Sequence, residues 1–265
     1  MAPNKKGIEK AIRPLFLLAL ILLIGCGPRR ISLPTGAGIP ASDFSTAFAA
    51  ARSGCDGVRT FQAELGLSGR AGDQRLRGRL LAGVVPGALR LEGVPPFGSP
   101  IFILVADGSR GTLLLLRDRR VVENAPPEDI LNALVGVRLG PNDLLALLSG
   151  CVRAAANATA ARAYGTDWLA IELDAGGTVY LHRQNGAWQI VAGRYGGLEV
   201  DYVAFAGNRP SEVVLRSSGV NLTLTVNQVE INGELPRDQL VAVKIPPGVS
   251  PLSLEELRRA GPLGE

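Results

Sequence analysis

The chain is poor in the residues that most often carry chemistry. It has a single His, His182, which excludes a multi-His metal site and leaves at most one His-based catalytic centre. Three Cys are too few for a disulfide scaffold, and aromatics make up only 5%. What the 265 residues do contain is 46% apolar side chains, 33 Gly and 18 Pro. That apolar content excludes a disordered chain, and the length suffices for one large domain or two small ones with a buried core. The formal charge of +4 and the pI near 9.2 point to acidic partners only if the charges lie on the folded part.

They do not. Lys5, Lys6, Lys10 and Arg13, offset by Glu9, precede a run from Leu15 to Ile24 with no polar residue. A basic start followed by a short apolar run describes a secretory signal; an uncleaved short anchor is the alternative. The run is shorter than the roughly 20 residues a transmembrane helix needs. It ends in Leu23-Ile24-Gly25-Cys26, which resembles a bacterial lipobox. The resemblance implies a signal peptide over 1–25, cleavage before Cys26, thioether lipidation of Cys26 and acylation of the new N-terminus. More than one acyl chain gives stable anchoring. Gly27 stands where an acidic residue would signal retention at the inner membrane, so the expected address is the outer membrane, facing the periplasm. Removal of 1–25 takes four basic residues and one acidic residue and lowers the net charge from +4 to +1. No case for nucleic acid survives. The two remaining cysteines, Cys55 and Cys151, are expected to pair in an oxidising compartment, with two separate buried thiols as the alternative.

Residues 26–41 are rich in Gly and Pro and read as a lipid-anchored tether. Ser42 and Asp43 open a helix in which Phe44, Ala47, Phe48 and Ala51 form one stripe. From Arg59 to about Glu123 the period changes to two, with Gly72-Asp73 and Asp107-Gly108 as turns. Such short connections dictate antiparallel pairing. Pro126-Pro127 and Pro141 open two apolar helices ending at Gly136 and Gly150. Strands then resume from about Arg162 to 245, with Gly176-Gly177 and Asn185-Gly186 as hairpin signals, and 246–265 form a Pro-containing tail. Roughly eleven strands and three short helices predict a mainly β domain over 42–245: one curved or partly closed antiparallel sheet, with the helix pair as a lid or plug on it.

Three stretches carry a resemblance. They are Arg90-Leu91-Glu92-Gly93-Val94-Pro95-Pro96-Phe97-Gly98-Ser99, the helix pair Ile130 to Gly150, and Gln184-Asn185-Gly186-Ala187-Trp188-Gln189-Ile190. In that order, within 43–232, they resemble the LolA/LolB lipoprotein-sorting family, and within it the LolB-type outer-membrane receptors. The resemblance implies an unclosed antiparallel β-barrel covered by lid helices, a half-barrel whose apolar concave side receives the acyl chains of lipidated cargo. It also implies a periplasmic LolA-like carrier as a possible partner, and delivery of cargo into the membrane without enzymatic chemistry or a cofactor. It assigns membrane insertion to the loop Pro95, Pro96, Phe97 and Gly98, where the family has Asn at the first position and Leu at the third. Phe97 is otherwise a core residue at a strand end. Cavity-wall candidates are Leu89, Leu91, Ile101, Ile103, Leu113, Leu115, Ile130, Leu134, Leu144 and Leu148, the inward sheet face being open. The domain is expected to be monomeric. Arg75, Arg77 and Arg79 share one strand face, either solvated or in contact with anionic head groups. No nucleophile-elbow motif accompanies His182. The competing reading is a structural or adaptor lipoprotein that binds a protein partner with the same fold and a filled interior.

Overall fold

The computed structural model describes residues 32–95 and 97–260. The signal-like segment, Cys26 and Pro96 lie outside the described residues. The first elements are β1 (Ile39–Pro40) and α1 (Phe44–Arg52). A meander follows: β2 (Phe61–Ala71), β3 (Gln74–Val85), β4 (Ala88–Val94), β5 (Phe102–Asp107), β6 (Arg110–Leu115) and β7 (Arg120–Ala125). Two helices interrupt it, α2 (Pro127–Val135) and α3 (Pro141–Leu148). The second set of strands is β8 (Ala158–Tyr164), β9 (Trp168–Leu173), β10 (Thr178–Gln184), β11 (Ala187–Tyr195), β12 (Leu198–Ala206), β13 (Arg209–Ser217) and β14 (Val220–Ile231). The chain ends with α4 (Arg237–Val241), β15 (Ser250–Pro251) and α5 (Leu254–Ala260).

All strands belong to one sheet, ordered β1-β8-β9-β10-β11-β12-β13-β14-β2-β3-β4-β5-β6-β7-β15. The two halves join where β14 pairs with β2, Val220 opposite Ala71 and Ile231 opposite Phe61. The edge strands β1 and β15 do not pair with each other, so the barrel is unclosed, as the resemblance implies. Pairing is antiparallel except for β15, which runs parallel to β7. The strand count exceeds eleven partly because Ile39–Pro40 and Ser250–Pro251 form two-residue edge strands within Gly- and Pro-rich stretches that carry no periodicity. Such short, Pro-containing edges limit further pairing with other chains.

One face of the sheet buries an apolar set. Phe61, Ala63, Leu65 and Leu67 of β2 are buried and alternate with more exposed residues, as do Val220, Leu222, Leu224 and Val226 of β14. Phe48 of α1, Ile130 and Leu134 of α2, and Leu147 and Leu148 of α3 join the same core cluster. α1 packs over β8, β9 and β11, α2 over β6, and α3 over β3 and β4. Each lid helix has a local reason to start and stop. Pro127 stands in the first turn of α2, with Glu128 and Asp129 against the positive dipole end. Gly136 closes α2 in a left-handed conformation, φ 72°, and donates its N–H to the Asn132 carbonyl at 2.9 Å. In α3 the Asp143 carboxylate accepts the Gly140 N–H at 3.0 Å. At Gly93 a Cβ would collide with the Phe102 ring, so the absent side chain lets that ring lie on β4.

The tail is part of the structure. Leu240 of α4 is buried with Val85 and Ala88 on the outer face of the sheet. From there the chain reaches β15 beside β7, and α5 returns to the inner side, where Leu257 joins the main core and α5 packs on α2.

Candidate functional site

The lid and the sheet face beneath it come together through residues picked out by the sequence. Leu89, Leu91, Leu113 and Leu115 all belong to the main core cluster, and so do Ile130, Leu134, Leu144 and Leu148 from the helices. The register corrects one of the cavity-wall expectations. Leu91 is opposite Leu104, and Leu104 is opposite Leu113, so these three share the inner face. Ile103 is opposite Glu92 and Leu114 and points to the outer face. The inner positions of β5 are Phe102, Leu104 and Ala106. Ile101 precedes the strand, half-buried against the core, and donates its N–H to the Gly93 carbonyl at 2.7 Å.

Under α2 and α3 this face is filled by the protein's own side chains: Leu89, Leu104, Leu113, Ile130 and Leu147 are all completely buried. Open space lies to one side. A cleft of about 660 Å³ sits at one end of the inner face, with Trp188, Ile190, Phe205 and Ile231 among its walls. The end of α1 and the segment 149–151 bound it, and Asn185 and Asn208 stand at its rim. A smaller cleft of about 280 Å³ lies against α3 and residues 153–156.

The wall shared by the two clefts is a covalent bond. Cys55, just after α1, and Cys151, just after α3, form a disulfide with Cα atoms 5.6 Å apart. Sequence reasoning missed a second tie at the same place. Tyr202 of β12 is fully buried; its hydroxyl donates to the Leu147 carbonyl at 3.0 Å and accepts the Val152 N–H at 3.3 Å. The only signal was its place in the inward row Leu198, Val200, Tyr202, where a phenol carries one polar atom into the core. Burial pushes that hydroxyl well above the usual tyrosine range. Nearby Tyr195 is pushed up to about 12, by burial first and then by the Asp143 carboxylate, while the Arg153 guanidinium lies 4.9 Å over its ring.

Phe97 is 93% exposed, and Gly98 beside it has φ 95°. The alternative of a buried Phe at a strand end therefore fails. The loop leaves the sheet after Val94, which pairs with Arg79 on β3. His182 points away from the core and stacks on Trp168, its cross-strand neighbour, at 4.2 Å between ring centroids. The Gln184 amide approaches its Nδ1 at 3.1 Å.

No protein-family model matches the chain, and no curated protein matches it in sequence. Solved structures do resemble it. A LolA superfamily protein from Nitrosomonas europaea is 11% identical, with 74% of this chain and 94% of that chain covered and a TM-score of 0.49. A putative outer membrane lipoprotein-sorting protein domain from Vibrio parahaemolyticus is also 11% identical, covering 74% and 96%, with a TM-score of 0.46. The lipoprotein LppX of Mycobacterium tuberculosis is 12% identical, covering 74% and 100%, with a TM-score of 0.32.

Proposed function

We propose that this chain is a lipid-anchored protein of the cell envelope that takes up the acyl chains of lipidated cargo and promotes their insertion into the outer membrane. The observation that carries this reading is Phe97, a large apolar side chain left 93% exposed on a Pro-Gly loop at one end of a half-barrel. An aromatic ring buries roughly 150–250 Å² when it leaves water, and nothing within the described fold uses that area. The unclosed sheet supplies the rest. Its inner face is apolar, and that face is covered by two short helices joined to the strands by loops. Displacing α2 and α3 would exchange their side chains for acyl chains, each buried CH₂ contributing about 0.8 kcal/mol. The cleft beside Trp188 and Phe205 gives a first foothold on the inner face. Lipidation of Cys26 would hold the domain at the membrane, with residues 26–41 as the tether, and a periplasmic LolA-like carrier would hand over the cargo.

The filled interior favours a second reading, an adaptor lipoprotein whose barrel stays shut and whose surface binds a protein. Replacing Phe97 by Glu separates insertion from folding. Release of lipoprotein from its carrier is expected to fall at least tenfold while the thermal midpoint stays unchanged. Undiminished transfer would remove the loop from the mechanism. Native mass spectrometry of protein purified from membranes separates the two readings: copurified acyl chains support uptake, and consistently empty protein supports the adaptor.

A further inference from the structure

The outer face of β3 carries a row of arginines beside the Phe97 loop. Leu76, Leu80, Ala82 and Val84 of this strand point inward, so Arg75, Arg77 and Arg79 point outward. They span about 14 Å at the usual strand rise. Across the β2–β3 ladder Arg75 is opposite Arg70, Arg77 is opposite Ser68 and Arg79 is opposite Gly66. One strand further, Asn221, Thr223 and Thr225 of β14 face Arg70, Ser68 and Gly66. The patch is thus four arginines set among small and neutral polar residues. Glu64 lies 3.8 Å from Arg79, and Arg70 donates to the backbone carbonyl of Asp73 in the turn at 3.5 Å. Among the described residues, Arg75 and Arg77 have no carboxylate partner.

Four other arginines of the sheet and its flanking helix do have close carboxylate partners. Arg90 pairs with Glu92 at 2.6 Å, Arg194 with Asp201 at 2.6 Å, Arg216 with Asp201, and Arg237 with Asp107. A cross-strand pair of like charges is destabilising, and a merely solvated face gains nothing by placing Arg75 against Arg70. The register ties this patch, matched by a carboxylate only at Arg79, to the loop. β4 pairs with β3 only from Val94 opposite Arg79 onward, so the loop that carries Phe97 leaves the sheet next to Arg79, and residues 74–78 run past the end of β4. Leu81, 44% exposed, continues the arginine row.

We infer that this face is a docking surface for an anionic phospholipid leaflet. Arg70, Arg75, Arg77 and Arg79 contact head-group phosphates, while Phe97 enters the acyl region beside them. The inference rests on the reading that the loop meets the bilayer, and it adds the lipid class and the face presented. The leaflet is favoured as occupant because the positive row borders an exposed apolar wedge, the combination that interfacial binding requires.

The test uses the full lipidated chain anchored in two kinds of vesicle, phosphatidylcholine alone and phosphatidylcholine with phosphatidylglycerol in equal parts. Phenylglyoxal labelling is read by mass spectrometry. Labelling of Arg75 and Arg77 is expected to drop at least about fivefold in the anionic vesicles and to return in high salt. Exposed Arg258 on α5 serves as the reference and should label alike in both. Equal labelling of Arg75 and Arg77 in both vesicles overturns the inference. Phe97→Trp, quenched by brominated acyl chains, reads the loop separately. Protection without quenching keeps the arginine surface and sinks loop insertion. Quenching that ignores both lipid charge and the Arg75→Gln/Arg77→Gln change keeps insertion and sinks the surface.

Discussion

Tyr202 shows how one side chain can hold a lid. A buried hydroxyl costs free energy unless it is hydrogen-bonded, and this one serves both sides of the turn that ends α3, donating to Leu147 and accepting from Val152. Tyr202→Phe keeps the ring volume but leaves the Val152 N–H without that acceptor. A loss of about 1–3 kcal/mol in unfolding free energy is expected in urea titration. The substitution also has a pH signature. The native hydroxyl of Tyr202 ionises well above the unfolded value near 10, and that of Tyr195 at about 12. Above about pH 10 the unfolded chain has lost protons that the native state keeps, so stability is intact below that pH and falls as pH rises past it. Urea midpoints measured at about pH 8 and about pH 11 should fall for the natural chain, and fall less for Tyr202→Phe. A pH response identical in the two proteins would show that this burial does not govern alkaline stability.

The lid helices α2 and α3 are held at three points: the disulfide, Tyr202 and the contact between α2 and α5. The disulfide joins residues 96 apart in sequence, and loop-closure entropy for a loop of this size reaches about 4.7 kcal/mol in the chain-entropy model, with removal of a native bridge costing about 2–5 kcal/mol. Replacing Cys55 and Cys151 by Ser should therefore lower stability by that order in denaturant titration. If the helices must move for uptake, the same variant should bind a fluorescent acyl probe faster than the natural chain; unchanged uptake would mean that the α3 end does not gate entry. Much of this arrangement is legible in the residues themselves. The Pro-Pro and Pro starts and the Gly stops define both helices, and alternation defines β2, β3 and β14. The face of β5 is not legible, because Ile101 to Ala106 is apolar without a break. The reason is physical: β5 is buried on both sides. Leu104 meets the core, while Val105 on the other face is 5% exposed. A strand covered twice carries no alternation from which to choose the inward row. Tyr202 is hidden for a related reason, since a phenol in an apolar row looks like any other core residue until its hydroxyl has a partner.

At the scale of the whole molecule, the second cover on β5 comes from the C-terminal segment. Val105, Leu114 and Val121 point away from the main core by register, yet are 5%, 1% and 3% exposed. Their burial places residues 242–249, which join α4 on β4 and β5 to β15 beside β7, over the outer face of these strands. The segment is fastened along its length. Arg237 pairs with Asp107, Arg119 donates to the Pro247 carbonyl at 3.1 Å, and the Leu252 N–H reaches the Val121 carbonyl at 2.7 Å. An unclosed barrel has two edges and an outer surface open to other chains, and this strap covers the edge at β7 together with the apolar patch next to it. Leu240→Ala, at a site 3% exposed against Val85 and Ala88, should cost about 2–4 kcal/mol through the cavity it leaves. Removing residues 233–265 should do more than destabilise. It would bare Val85, Ala88, Val105, Leu114 and Val121 together with the β7 edge, and the truncated protein is expected to self-associate in light scattering while the full chain stays monomeric. A truncated chain that remained monomeric with an unchanged thermal midpoint would mean that the sheet needs no strap, and that the outer apolar row is tolerated in water.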